Sequence, residues 1–261
     1  MLNDKVVIIT GVGPGMGRAM ALGAAREGAK VAISARSEEF IAEVCDAVKA
    51  VGGDAIAVRT DVGVSADCQR LASKTLQAFG RIDGLVNSAY FHPDWGNVED
   101  ADLDGYLRAF DVICLGALRM VHAVLPTMKA QGSGAIVNIS TLSTRRVMPG
   151  EGGYAIAKAA LNHATRQLAS ELGGHGIRAN LALMGWLMGV PLQRNYFDQL
   201  AARSGEAAAA AERARIIGGI PVGHIPPDED CAKAVYFLLS DYASEITGAA
   251  LDVNGGEWMA P

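Results

Sequence analysis

The chain is predicted to be an α/β protein built on a doubly wound parallel sheet of seven strands, with helices on both faces. Three observations lead there. Short apolar runs recur along the 261 residues, and they are continuous rather than alternating, as in strands covered on both sides. Helical stretches long enough for right-handed βαβ crossovers separate these runs. A glycine loop directly follows the first run, where such sheets turn from strand into helix.

Taken in order, Val6-Val7-Ile8-Ile9 is the first strand and Val31-Ala32-Ile33 the second. Ala55-Ile56-Ala57-Val58 is the third, and Leu85-Val86 the centre of the fourth. Ala135 to Ile139 form the fifth, Ala179 to Ala182 lie in the sixth, and Ala249 to Val253 form the last. No composition break divides the chain, so residues 1–261 are expected to form one domain. The segment 187–226 departs from the alternation. It is too long for a plain connection and too apolar for a linker, and it reads as one or two helices forming a lid over a pocket.

Composition narrows the function. Half of the residues are apolar, enough for a sizeable core, and the net charge is -5. No Lys/Arg-rich run appears, which argues against nucleic acid and anionic membrane as partners. No apolar run approaches the ~18 residues of a membrane span, and the N-terminus shows no signal-peptide pattern. Cys45, Cys68, Cys114 and Cys231 are far apart and form no CxxC pair, so no metal is expected and free thiols are the plain reading. A cytoplasmic location is the expectation.

Thr10-Gly11-Val12-Gly13-Pro14-Gly15-Met16-Gly17 joins the first strand to a helix. Glycines there permit a tight turn and close approach of a pyrophosphate, while the helix N-terminus offers free N–H groups and partial positive charge. Tyr154 and Lys158 stand four apart on a predicted helix and share a face. An ammonium beside a phenol favours the phenolate and lowers its pKa, so the phenol becomes a usable acid or base near neutrality. Either feature alone is weak.

Together, Thr10-Gly-x-x-x-Gly15-x-Gly17, Asp61-Val62, Asn87-Ser88-Ala89, Tyr154-x-x-x-Lys158 and Thr247-Gly248 with Gly255-Gly256 resemble the short-chain dehydrogenase/reductase family over essentially the whole chain. The resemblance implies a Rossmann-type dinucleotide-binding domain, a nicotinamide cofactor and assembly as a homotetramer. It implies that Asp61 meets the adenine, that Asn87 lines the adenosine side, and that Val62 and Ala89 flank them. It makes Tyr154 the acid/base and gives Lys158 the ribose hydroxyls. The family's third hydroxyl falls on Thr141, with Ser143 and Ser140 in reserve. Gly185 and Leu187 would lie against the cofactor. Ala35-Arg36 ends the second strand without a carboxylate for a ribose 2′-hydroxyl, and a guanidinium suits a 2′-phosphate. NADP(H) is therefore favoured. NAD(H) is the alternative, with Glu38 or Glu39 on the ribose.

The chain departs from the family pattern at Ile113 (asparagine is usual), Tyr90 (glycine), Met184 (proline) and Gly189 (threonine). Without the asparagine, the usual proton relay beside Lys158 lacks a member. Substrate candidates are Tyr90, Phe91, His92 and Trp95 after strand four, Leu142 and Met148 before the tyrosine, and Trp186, Leu187, Met188, Leu192, Tyr196 and Phe197 in the lid. Arg145 and Arg146 could meet a carboxylate, but two arginines in a loop are more often solvated. The lining suits a compact hydrophobic ketone or secondary alcohol: alicyclic, aromatic, terpenoid or steroid-like. The alternatives are a 3-oxoacyl-thioester reductase and a protein that senses the cofactor with little turnover.

Overall fold

The computed structural model describes residues 1–189 and 191–259; the side chains of Pro191 and Leu192 lie outside that description, so Leu192 is not placed in the pocket. The strands are β1 (Val6–Thr10), β2 (Lys30–Ser34), β3 (Ala55–Ala57), β4 (Gly84–Asn87), β5 (Gly134–Thr141), β6 (Ile177–Met184) and β7 (Ala250–Val253). They form one parallel sheet in the order β3-β2-β1-β4-β5-β6-β7. Every expected run is a strand. β5 and β6 run further than their apolar centres, and so carry Thr141 and Met184 at their carboxyl ends.

Strand order reverses between β1 and β4, which opens a crevice beyond their carboxyl ends. Helices α1 (Met16–Arg26), α2 (Glu38–Ala50) and α9 (Asp228–Leu239) cover one face. Helices α3 (Ser65–Phe79), α5 (Gly116–Gln131) and α6 (Gly152–Leu172) cover the other. The pleat divides β1 between the two cores: Val7 and Ile9 pack with Met20, Val44 and Val235, and Ile8 with Leu71, Leu85 and Met120. These aliphatic side chains are fully buried, each worth about 1.5–3 kcal/mol of transfer free energy.

Helix α4 (Leu103–Phe110) runs through a π-helical turn, Asp111–Leu115, into α5, giving 29 residues of helix. By length and composition this helix could cross a membrane, which counting uninterrupted apolar runs misses because Asp111 and Arg119 break the run. Those two pair at 2.6 Å. Met120, Val121, Val124 and Met128 turn into the core beneath β1, β4 and β5, as a sheet-covering crossover requires.

The segment 187–226 contains two helices, α7 (Pro191–Ser204) and α8 (Glu206–Gly218). Phe197, Ile216, Ile220 and Ile225, with Trp186 and Ile217 against them, make a small core of their own.

Candidate active site

The glycine loop is shaped by three pressures. Gly11 has φ +68°, and a Cβ there would strike the backbone of Ala89 at the end of β4. Gly17 would meet Val12 Cα at 2.8 Å. Gly13 is different: nothing among the described residues lies within 4 Å of its Cβ position. Packing explains the first two glycines, and open space for a ligand explains the third. Gly15 opens α1 with no side-chain cap and no acid in the first turn, so the helix's free N–H groups face that space uncompensated. These features fit a dinucleotide pyrophosphate. Met16 is 6% exposed and points into the core, leaving only its backbone to a phosphate.

Around the nucleotide end, Asp61 accepts from Gly63 N at 2.8 Å, which holds the turn after β3. Val62 is buried against Gly116, where a Cβ would meet it at 2.7 Å. Asn87 donates to Asn138 Oδ1 at 2.9 Å, and Asn138 donates to Thr165 Oγ1 at 2.8 Å. This buried chain spans β4, β5 and α6 and leaves Asn87 Oδ1 without a partner among the described residues. Arg36 is exposed and has no ion pair among the described residues, while Glu38 and Glu39 occupy the first turn of α2.

Helix α6 carries both Tyr154 and Lys158. Lys158 is 2% exposed; its Nζ donates to Ile139 O at 2.6 Å and lies 5.7 Å from the centre of the Tyr154 ring. Tyr154 is partly buried, and Thr141 lies beside its phenol. Thr141 Oγ1 also lies 3.2 Å from Ser143 Oγ. Ser140 turns to the other side of β5 and donates to Asn162 Oδ1 at 2.5 Å. Thus Tyr154, Lys158 and Thr141 come together, and Ser140 does not join them.

The electrostatics differ from the sequence expectation. Burial pushes the Tyr154 phenol above the ordinary tyrosine value, the charge of Glu151 pushes the same way, and only neighbouring Thr141 opposes. Burial lowers Lys158 to about 7. Without a cofactor, desolvation favours the neutral form of each group and outweighs the help one was expected to give the other. Ile113, 1% exposed, clusters with Ala109, Ala117, Ala157 and Leu161 against Tyr154, and its side chain offers no hydrogen bond there.

Beyond β6 the structure shows what replaces the missing threonine. A Cβ on Gly189 would fall on Asp228 Oδ2, and 3.1 Å from Gly15 Cα. Asp228 is 5% exposed and raised by burial, and its Oδ1 has no partner among the described residues. Gly185 packs against Asn254, where a Cβ would meet it at 2.8 Å. Leu187 is buried, and its N–H donates to Gln193 Oε1 at 2.7 Å, so that N–H is already engaged. Asp228 and Gln193 were not foreseen. Asp228 stands in an acidic helix start, which reads as ordinary capping until the tertiary neighbour is seen.

The loop after β4 covers the tyrosine. His92 stacks on Tyr154 with centroids 5.1 Å apart, and Trp95 stacks on His92 at 5.0 Å. Leu142 is buried; Tyr90 and Met148 are exposed. Phe91 is held by Arg108, 4.2 Å above its ring. In the lid, Tyr196 donates to Glu212 at 3.1 Å and packs with Trp186 and Phe197, while Met188 is exposed. The lid aromatics thus pack on one another. Arg146 pairs with Glu257 at 3.3 Å and Arg145 lies over Trp258, so neither is solely solvated. A cavity of about 640 Å³ lies between α7 and α8, lined by Phe197, Ala201, Ala209 and Arg213, and includes none of the reacting groups.

The family model described as Enoyl-(Acyl carrier protein) reductase matches residues 11–257. The chain is a short-chain dehydrogenase/reductase. L-rhamnose 1-dehydrogenase (NAD(P)(+)) of Sphingomonas sp. is 34% identical over 261 residues, covering 99% of this chain and 98% of that protein. 2-(S)-hydroxypropyl-CoM dehydrogenase 3 of Xanthobacter autotrophicus is also 34% identical, over 98% and 97%. Among solved structures, levodione reductase superposes with a TM-score of 0.90 at 31% identity, covering 98% of each chain. This short-chain dehydrogenase/reductase is accordingly an oxidoreductase of alcohols and ketones that uses a nicotinamide dinucleotide.

Proposed function

We propose that the protein interconverts a compact hydrophobic ketone, alicyclic or aromatic, and its secondary alcohol, with NADP(H) favoured. The observation that carries this is the meeting of Tyr154, Lys158 and Thr141 under the ring stack of His92 and Trp95, in a fold whose glycine loop leaves open space at Gly13. When bound, the dinucleotide supplies or accepts hydride at its nicotinamide. Thr141 orients the substrate oxygen, and Tyr154 gives it a proton or takes one. Lys158 binds ribose hydroxyls, which supply acceptors that the buried ammonium otherwise lacks. Exposed Arg36, with no carboxylate at Ala35, supports the 2′-phosphate.

The exposed apolar row Leu103, Leu107, Phe110, Leu115 and Ile156 supports self-association through α4 and α6, in keeping with a homotetramer. Four buried free cysteines support a reducing, cytoplasmic setting. The description of the matching family model keeps an acyl-thioester substrate as a second reading.

The test is a panel of ketones, alcohols and 3-oxoacyl thioesters, each with NADPH/NADP and NADH/NAD, followed by cofactor absorbance. Ketone turnover is expected, reduced about 10²–10⁴-fold in Tyr154→Phe. Activity confined to thioesters, or a clear preference for NADH, overturns the corresponding part. Cofactor binding with no turnover, unaffected by Tyr154→Phe, would leave a sensor.

A further inference from the structure

His92 carries an unmet hydrogen-bonding capacity next to the reacting phenol. Its Nδ1 lies 2.6 Å from Pro93 O. A carbonyl can only accept, so Nδ1 carries the proton, and in the neutral ring Nε2 is a bare acceptor. Nε2 is shut off from solvent and has no partner among the described residues. The same ring stacks on Tyr154 at 5.1 Å and on Trp95 at 5.0 Å, each at an interplanar angle of 27°, so its plane is held on two contacts. Glu151, whose charge Tyr154 feels, adds a second buried acceptor without a partner, Oε2.

Surroundings of this kind call for a donor on the ligand. An anionic ligand group would find a carboxylate and a lone pair here. A plain hydrocarbon would leave both acceptors desolvated and unpaired, the costly case. The hydroxyls of Tyr154 and Thr141 serve the reacting oxygen, so the donor must be another group on the same molecule. The His92 ring lies on the Tyr154 ring, 5.1 Å between centroids, so that group is taken on the carbon beside the one Tyr154 serves.

We infer that the substrate carries a hydroxyl on the carbon next to the reacting one, and that His92 Nε2 accepts its hydrogen bond. The pair is then an α-hydroxyketone and a vicinal diol on an otherwise apolar frame. In reduction, a bound reduced dinucleotide would supply the hydride for the carbonyl carbon, and Tyr154 would give the carbonyl oxygen a proton that solvent restores to Tyr154. The neighbouring hydroxyl and His92 keep their protons. This inference rests on the ketone reductase reading and narrows its substrate.

Three matched pairs test it: acetoin with butanone, 2-hydroxycyclohexanone with cyclohexanone, and 2-hydroxyacetophenone with acetophenone, each with NADPH and NADH. The readout is the ratio of kcat/KM, hydroxylated over plain, in wild type, His92→Phe and His92→Gln. The wild-type ratio is expected to reach at least about tenfold in the best pair, as sites built around a polar partner discriminate. It should fall towards one in His92→Phe, which keeps a flat ring without the acceptor, and recover in part in His92→Gln. A role confined to packing would change both members equally and leave the ratio intact. A wild-type ratio near one, or one untouched in both variants, overturns the inference while ketone turnover lost in Tyr154→Phe leaves the reductase reading standing. No turnover of any pair removes that reading, and the inference with it.

Discussion

Replacing Lys158 by methionine should stabilise the cofactor-free protein at and below neutral pH, and the gain should shrink as pH rises. Lys158 is 2% exposed, donates to a single carbonyl, and is lowered by burial from 10.5 to about 7. A fall of about 3.5 at about 1.36 kcal/mol each comes to roughly 5 kcal/mol, an upper bound on the cost of burying the charge. Below pH 7 both the folded and the unfolded chains bind the proton, and the full cost is present. Between about 7 and 10.5 the unfolded chain binds more protons, so wild-type stability rises with pH, by at most about 1.4 kcal/mol per pH unit. Above 10.5 the cost is gone. Methionine follows the lysine stem without the charge and forfeits the bond to Ile139 O, worth about 1.5–3 kcal/mol for a charged donor, which offsets part of the gain. Urea denaturation of wild type and Lys158→Met from pH 6 to 9.5 gives the difference directly. The range stops short of the region where Tyr154, raised by burial, enters. Parallel stability curves, or a variant less stable at pH 6, would refute the reasoning by showing that the ammonium is solvated in the folded protein.

Two family residues should fail when put back. Ile113→Asn places an amide among Ala109, Ala157 and Leu161, and should cost about 2–5 kcal/mol with no gain in kcat. A faster enzyme of unchanged melting temperature would show instead that the cluster admits a water. Gly189→Thr should cost about 1–3 kcal/mol because its Cβ meets the Asp228 carboxylate. Adding Asp228→Ala should return much of that loss in urea titrations, and a single variant as stable as wild type would sink the explanation.

Much of this protein is legible in its chain. Strands of four to eight residues, such as Val6–Thr10 and Gly134–Thr141, are continuous apolar runs because helices cover both faces. Tyr154 and Lys158 share a helix face through local geometry, and Thr141 follows from the family's spacing. The glycine loop announces itself by composition, although packing rather than ligand accounts for Gly11 and Gly17. The helices of the lid were legible from the length and apolar content of 187–226; that its aromatics pack on one another depends on how α7 meets α8.

By itself, the sequence determined the sheet, its crossovers and the family, and named Tyr154, Lys158 and Thr141 as candidates, because each rests on periodicity or on spacing along the chain. Tertiary structure alone decided the environment. Asp228 fills the space at Gly189, Glu257 holds Arg146, Gln193 takes the Leu187 N–H, and His92 lies on Tyr154. All but the Gln193 contact join residues far apart in the chain. The raised tyrosine and lowered lysine belong with them, since desolvation depends on everything packed around a group and not on its neighbours in sequence.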